Sequence, residues 1–143
     1  MDHLDQELLN HLRQNSRATT SALSRTLGVS RSTIQDRIKR LEERGIIKGY
    51  TLIESEDYSR TMIRAHVMIQ IGARYQSHIV TELKRLKDVQ SVHTVSGVYD
   101  LIAVVRAENT AEIDCCLDQV GSIKGVEKTT SSIILSTKFD RFG

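Results

Sequence analysis

The spacing of apolar residues changes character near residue 50 of this 143-residue chain. Before residue 50, apolar positions recur every three or four residues, as on one face of an amphipathic helix. After residue 60 they mostly alternate with polar ones, as in β-strands, with two helical interruptions. We therefore predict a first domain over residues 1–50, a polar linker over 51–60 and a second domain over 61–143.

Three helices are predicted in the first domain. The first carries leucines on one face and ends near Asn15. The second stops at Gly28, a residue suited to the left-handed conformation that ends many helices. Ser30 is a favourable N-cap for the third helix, which ends at Gly45. After it, one or two short strands are predicted from a set of apolar residues that comprises Ile46, Ile47, Tyr50, Leu52 and Ile53.

The second domain has the predicted order β-α-β-β-α-β, which is the ferredoxin-like arrangement. Strands are predicted over 63–71, 89–95, 98–106 and 126–137, and helices over about 74–87 and 113–123. Helices in this arrangement cover one face of the sheet, so the other face needs a different cover. Because that face is not strongly charged, we expect a second subunit to supply it.

Charge divides along the same boundary. Residues 1–50 hold nine Lys and Arg against six Asp and Glu, whereas residues 51–143 hold eleven against twelve. The whole-chain net charge of +2 therefore conceals a basic first domain. Because clustered positive charge attracts phosphate, this local excess favours a nucleic-acid partner. The chain has no Trp and only 4% aromatic residues, which disfavours stacking on single-stranded nucleic acid.

Residues 20–41 predict a helix-turn-helix, with Gly28 in the turn. The second helix of this motif enters the major groove by its N-terminal residues, where arginine and short polar groups reach base edges and phosphates. The alternative is a small helical domain whose charged face is only solvated. Since arginines concentrate on this one helix, we predict contacts to double-stranded DNA from Ser30, Arg31, Ser32, Thr33, Gln35, Arg37, Arg40 and Lys48.

Motifs in both halves resemble the Lrp/AsnC family of bacterial and archaeal transcriptional regulators. They lie at residues 4–9, 27–34 and 37–47, and residues 96–100 are similar to that family's Gly-Asp-Tyr/Phe-Asp motif. The resemblance implies an α+β protein with an N-terminal winged helix-turn-helix, followed by a ferredoxin-like βαββαβ sensing and oligomerisation domain. It also implies a homodimer that binds a pseudo-palindromic operator and assembles further, for instance to an octamer.

The resemblance further implies a small amino acid as effector, bound near Ser96, Gly97, Val98, Tyr99 and Asp100. A zwitterion needs an acceptor for its ammonium and N–H donors for its carboxylate, which Asp100 and the backbone near Gly97 can supply. From the residues alone, a hairpin turn in which Asp100 satisfies backbone amides stays open. Val98 stands where the family often has Asp, so one carboxylate is missing from this turn.

Other functional classes find less support in the residues. Cys115 and Cys116 are neighbours and form no disulfide framework, which fits a reducing cytoplasm, and Cys116 falls on the apolar face of its helix. No metal-ligand spacing involves His66 or His93, and no catalytic motif is present. We therefore expect no metal, no cofactor beyond the amino acid and no enzymatic activity. The lack of a long apolar run argues against a membrane span, and the polar, acidic N-terminus is no secretory signal. Together with the predicted DNA contacts, this predicts a cytoplasmic, nucleoid-associated protein without a membrane partner.

Two alternatives remain open. A tetrapyrrole-modifying enzyme similar to the sirohaem decarboxylases has a similar fold, but it would not need an arginine-rich third helix. A haem-type Soret band on adding the tetrapyrrole would identify it. A DNA-architectural protein would bind DNA with weak sequence preference and without an effector.

Overall fold

A computed structural model describes residues 1–141 and separates the chain between Ile53 and Glu54. Residues 1–53 belong to the first unit and residues 54–139 to the second unit. None of the helices described is both long enough and apolar enough to cross a bilayer.

The first unit is built from the three predicted helices, and their caps explain where they begin and end. They are α1 (His3–Gln14), α2 (Thr20–Leu27) and α3 (Arg31–Glu43). The Thr19 hydroxyl accepts a hydrogen bond from the Ala22 N–H at the start of α2, and Ser30 caps α3 in the same way. Gly28 closes α2 at φ 68°, a left-handed conformation that favours glycine, and so turns the chain into α3.

One apolar cluster holds these helices together. It contains buried side chains from all three helices: Leu8, Leu12, Leu23, Ile34 and Leu41. Burying a side chain of this size stabilises a fold by about 1.5–3 kcal/mol. Because one side of α3 packs into this cluster, its opposite side faces solvent, as a DNA-binding helix requires.

The strands predicted within residues 46–53 are wrong, since residues 46–55 form neither helix nor strand. A strand requires a hydrogen-bonded neighbour, and the N–H groups of Ile46 and Ile47 instead donate to the Leu41 carbonyl, at 2.9 and 3.1 Å. Ile47 packs against the apolar cluster, whereas Leu52 is 72% exposed. The apolar pattern here therefore marks a turn anchored to the core and not a strand pair.

The second unit contains a four-stranded antiparallel sheet, and the predicted βαββαβ order is confirmed. Its elements are α4 (Glu56–Ser59), β1 (Ile63–Ile71), α5 (Gln76–Arg85), β2 (Val89–Thr94), β3 (Leu101–Ala107), α6 (Thr110–Gly121) and β4 (Val126–Ile133). The strand order is β2-β3-β1-β4, so β1 and β3 are central. The short α4, which Ser55 caps, lies in a polar stretch that carries no predicted helix.

The core of the second unit lies between the sheet and the two longer helices, α5 and α6. Alternate residues of β1 and β3 are buried there against helix residues such as Ile79, Leu83 and Val120. On the opposite face of the sheet, His66 is exposed and Met68 is half-buried. That a second subunit covers this face stays a prediction.

Three strands are shorter than predicted, and β2 ends one residue early, at Thr94. β3 starts only after residues 96–100, which form a turn with φ 129° at Gly97. β4 stops at Ile133, which pairs with Ala65 near the start of β1. The last residues predicted as strand, up to Thr137, therefore run past the end of their partner.

Candidate DNA-binding interface and effector turn

The start of α3 carries a cluster of hydroxyl groups around its N-cap. The Ser30 Oγ accepts from the Thr33 N–H at 3.2 Å, and it lies 3.1 Å from the Ser32 Oγ and 2.8 Å from the Thr33 Oγ1. These contacts order the first turn of the helix, where backbone N–H groups without helical partners concentrate positive potential. This end of α3 therefore suits a hydrogen-bonding or anionic partner.

Arg31 and Gln35 lie one helical turn apart on the exposed part of α3, with Ser32 beside them. Neither the Arg31 nor the Gln35 side chain makes a hydrogen bond or ion pair with any residue that the structure describes. Ile34, which lies between them in sequence, is buried in the core and fixes the rotation of the helix. Both polar side chains are therefore available to a partner.

Two further predicted contacts, Thr33 and Arg40, lie on a different flank of α3. They are seven residues apart and share a face of the helix, roughly 140° around the axis from Gln35. Arg40 is exposed and Thr33 is half-buried, while Lys48 is exposed in the segment after α3. The structure thus brings Arg31 and Gln35 together with Ser32, but it does not place all the predicted residues on one surface.

Arg37, also predicted to contact DNA, is held by two carboxylates of the N-terminal segment. Its Nη1 donates to the Asp2 Oδ2 and to the Asp5 Oδ1, the latter at 3.2 Å. The bond from Arg37 holds the pKa of Asp2 below its ordinary value of 3.8, and the Asp5 N–H adds to this effect. Since the pKa of Asp2 is lowered, its contribution to stability is present above pH 3.8 and is lost as the pH falls through the lowered pKa.

Helix spacing contains a signal for this contact. Arg37 follows Ile34 by three residues and precedes Leu41 by four, so it flanks the buried stripe of α3. Spacing alone therefore places Arg37 beside the core and away from the most exposed side of the helix. Its partners lie 35 and 32 residues away in sequence, which no local pattern reveals.

The predicted effector turn, residues 96–100, connects β2 to β3. Val98 is 79% exposed at its tip, next to Gly97 with its positive φ. Tyr99 is anchored at the base, because its hydroxyl lies 2.6 Å from the Thr130 Oγ1 on β4. The turn therefore combines an exposed apolar tip with a fixed base.

Asp100 ties this turn to β1. Its Oδ2 accepts from the Ile71 N–H at 2.9 Å, its own N–H donates to the Ile69 carbonyl at 2.9 Å, and its carbonyl accepts from the Val95 N–H at 3.0 Å. Asp100 thus satisfies backbone amides, as in the hairpin alternative that the sequence leaves open. Its Oδ1 has no hydrogen bond to any described residue and so keeps its capacity to accept one.

Cys116 belongs to the core of the second unit. It is buried, and burial raises the pKa of its thiol, with smaller contributions from Asp88 and Cys115. A raised pKa disfavours the reactive thiolate, which agrees with a packing role. Within residues 1–141, no group of three or more His, Cys, Asp or Glu side chains is arranged to hold a metal ion.

Comparison with known sequences identifies both halves of the chain. Residues 1–48 match the model of a winged helix-turn-helix DNA-binding family, and residues 64–143 match the model of the Lrp/AsnC ligand binding domain. The chain is 32% identical over 135 residues to the HTH-type transcriptional regulator FL11 of Pyrococcus furiosus. This alignment covers 94% of this chain and 89% of that protein. It is 34% identical over 143 residues to the HTH-type transcriptional regulator LysM of Saccharolobus solfataricus, over 97% and 96% of the two chains.

A solved structure shows the same fold. The feast or famine regulatory protein of M. tuberculosis, complexed with L-methionine, superposes with a TM-score of 0.85 at 28% identity, over 97% of this chain and 95% of that chain. The relatives thus share the architecture of both units, and the resemblance seen in the sequence motifs is confirmed. The chain therefore belongs to the Lrp/AsnC family of DNA-binding transcriptional regulators.

Proposed function

We propose that this regulator reads DNA sequence with the N-terminal half of α3 inserted in the major groove. Arg31 and Gln35 reach base edges there, since arginine pairs with guanine and glutamine with adenine through two hydrogen bonds each. The observation that carries this assignment is that both side chains are exposed, one turn apart and unpaired with any described residue. Ser32, exposed beside them, adds a short hydroxyl to the same surface.

The other predicted residues take supporting roles in this proposal. Ser30 and Thr33 order the first turn of α3, because their hydroxyls are engaged around the N-cap. Arg40 and Lys48 bind phosphates, which strengthens binding without reading sequence. Arg37 is left out of the contact set because its guanidinium is already bound by two carboxylates.

A homodimer is the proposed DNA-reading unit, because one α3 reads only half of a site. Its operator is pseudo-palindromic, with half-sites about 10 base pairs apart or a multiple of that. The sheet face that carries His66 and Met68 supports pairing between second units, and dimers assemble further, for instance to an octamer. We place the protein on chromosomal DNA in the cytoplasm and assign it no enzymatic activity, since its relatives are named as transcriptional regulators.

Selection of genomic fragments bound by the full chain, followed by sequencing, tests this proposal. A recurrent pseudo-palindrome among the bound fragments supports sequence reading and gives the half-site spacing. Fragments that share no sequence would overturn it and would favour a DNA-architectural protein.

Arg31→Ala is expected to relax sequence preference at one position of each half-site. Losing a bidentate contact to a base costs about 1–3 kcal/mol of discrimination between the right and the wrong base. The measurement is competition binding between the selected operator and variants of it with single base changes. If Arg31→Ala keeps the wild-type preference at every position, Arg31 does not read a base.

Lys48→Ala is the matched control, since it also removes one exposed positive charge from the first unit. It is expected to weaken binding to all duplexes alike and to reduce the slope of log affinity against log salt by about 1. A change of base preference in Lys48→Ala would contradict its assignment as a phosphate contact.

For the second unit we propose a small amino acid as effector, bound at residues 96–100. The match to a ligand binding domain and the L-methionine complex of a relative support the ligand class. At the turn, the free Oδ1 of Asp100 can accept from the ammonium, and backbone N–H groups at Ser96 and Gly97 can bind the carboxylate. Val98 and Tyr99 then border the side chain of the effector.

A matching amino acid is expected to raise the thermal midpoint of the protein and to change its mass in light scattering. Saturation at 100 times Kd stabilises the bound form by about 2.7 kcal/mol, and a different affinity for two assemblies shifts their balance. The measurement is a thermal-shift screen of the common amino acids that includes L-methionine, followed by light scattering with each hit. Absence of any shift and of any change in mass defeats the proposal for those ligands.

Val98→Asp and Val98→Ala test the place of binding with little risk to the fold, because Val98 is highly exposed. Val98→Asp adds a carboxylate beside the ammonium and is expected to tighten binding of a hit, whereas Val98→Ala removes only apolar contact. If both variants bind as the wild type does, the effector site lies elsewhere.

A further inference from the structure

Asp2, Asp5 and Arg37 form a closed network in the first unit, which we term the carboxylate clamp. Each carboxylate uses one oxygen for the cap of α1: the Asp2 Oδ1 accepts from the Asp5 N–H at 2.9 Å, and the Asp5 Oδ2 accepts from the Asp2 N–H at 3.3 Å. The remaining oxygens, Asp2 Oδ2 and Asp5 Oδ1, both accept from the Arg37 Nη1. The clamp thus joins the start of α1 directly to the middle of α3.

Burial differs among the three side chains of the clamp, and Asp5 is the most buried. The Asp5 side chain is 10% exposed and that of Arg37 is 25% exposed, while that of Asp2 is 54% exposed. A charge as buried as that of Asp5 is tolerated only when a partner neutralises it, and Arg37 supplies that partner. Removing Arg37 would leave two carboxylates close together with no cation between them.

The two carboxylates of the clamp lie beside α3, the helix proposed to bind DNA, where negative charge repels phosphate. Asp2 and Asp5 put negative charge against the helix that approaches phosphate, which by itself weakens binding. Both carboxylates bind the Arg37 Nη1, so they offset the positive charge that Arg37 would otherwise offer to phosphate. The clamp therefore contributes by holding α3 in position, since base contacts lose strength when their supporting elements shift by about 1 Å.

We infer that Arg37 is a positioning residue for DNA recognition: clamped by Asp2 and Asp5, it fixes α3 against α1 so that Arg31 and Gln35 reach their bases. The inference rests on the proposed role of α3. If Arg37 has this role, removing a negative charge from the clamp weakens specific DNA binding, although removing negative charge ordinarily strengthens binding to phosphate. Removing a negative charge from α1 outside the clamp does not weaken it.

Asp2→Asn tests this consequence with little risk to the fold. Asparagine is as good an N-cap as aspartate, so the bond from the Asp5 N–H is kept while the charge opposite Arg37 is lost. We expect affinity of the full chain for the duplex selected from the genome to fall about fivefold, in keeping with a partly exposed ion pair. Affinity for a scrambled duplex of the same length and composition is expected to stay the same or rise.

Glu7→Gln is the matched control. It removes one negative charge from α1, and the only polar side-chain contact of Glu7 with a described residue is to the exposed His3, whose Nε2 lies 3.4 Å from the Glu7 Oε1. It is expected to bind both duplexes as tightly as the wild type or more tightly. All measurements are made at a temperature at which thermal unfolding shows every variant to be folded.

Arg37→Gln separates positioning from a phosphate contact. Loss of a positioning residue lowers the affinity for the selected duplex and leaves the salt slope unchanged, whereas loss of a phosphate contact reduces the slope by about 1. The double variant Asp2→Asn with Arg37→Gln is expected to bind no worse than Arg37→Gln alone, because both changes break the same network.

The outcomes keep the two proposals apart. If the wild type does not distinguish the selected from the scrambled duplex, the proposed function fails. If it does distinguish them and Asp2→Asn binds the selected duplex as tightly as Glu7→Gln, the positioning role of the clamp is overturned. A reduced salt slope in Arg37→Gln overturns it as well.

Discussion

Gly125→Ala is expected to lower the free energy of unfolding of the second unit by about 3 kcal/mol. A Cβ at this position would lie 2.3 Å from both the Cβ and the Cγ of Tyr75, closer than such atoms can approach. The backbone also has φ 99°, which a residue with a side chain adopts only with strain. Because the Gly125 carbonyl accepts from the Gly72 N–H at 2.9 Å, the loop cannot withdraw from Tyr75 without losing that bond.

Denaturant unfolding of the full chain, followed by a probe in the second unit, measures this loss. Gly97→Ala is the control, since Gly97 also has a positive φ but an added Cβ there meets no atom within 4 Å. Strain alone is expected to cost about 1 kcal/mol in that variant. Equal losses in the two variants would contradict a tight contact between Tyr75 and Gly125. If Gly125→Ala costs less in a Tyr75→Gly background than in the wild type, the clash is identified directly, since glycine removes the Tyr75 Cβ and ring together.

Ile34→Ala is expected to lower the free energy of unfolding of the first unit by about 3 kcal/mol, and to abolish DNA binding at temperatures where that unit unfolds. Ile34 is fully buried and packs in the apolar cluster with residues such as Leu8 and Leu41. Truncation removes apolar contact and leaves a cavity beneath the face that carries Arg31 and Gln35.

Hydrogen exchange, resolved on peptides from each unit, shows where protection is lost. Ile46→Ala is the control in the same unit, since Ile46 is exposed and its truncation is expected to cost little. Protection in residues 54–139 is expected to be unchanged in both variants, because the two units have separate apolar clusters. Equal loss of protection across the whole chain in Ile34→Ala would contradict independent cores.

Local patterns were sufficient for the three helices of the first unit because the causes of those helices lie within a few residues. Thr19 and Ser30 cap the N–H groups three positions further on, and Gly28 adopts the left-handed conformation between the two helices. Local patterns gave a wrong prediction at residues 46–53, which form no strand. Their apolar spacing predicts strands, but a strand exists only when a second strand pairs with it, and spacing carries no information about the partner.

The candidate sites show the same division. The sequence singled out Arg31, Gln35 and Arg37 by the same criterion, as polar residues of one helix, yet the structure leaves two of them free and binds the third to carboxylates. At the effector turn, the sequence offered Asp100 either as a ligand acceptor or as a bond to the backbone. In the structure, one oxygen bonds the Ile71 N–H and the other is left free.

The sequence by itself determined the βαββαβ order, the helix-turn-helix and, through motifs in both halves, the family. Periodicity, caps and turns encode all of these over short stretches, because burial acts on each element through its own apolar face. Only the tertiary structure decided that Arg37 meets Asp2 and Asp5, that Asp100 is tied to β1 and that Tyr75 closes on Gly125. These contacts join residues far apart in sequence, and they exist only once packing has brought separate elements within hydrogen-bond or van der Waals distance.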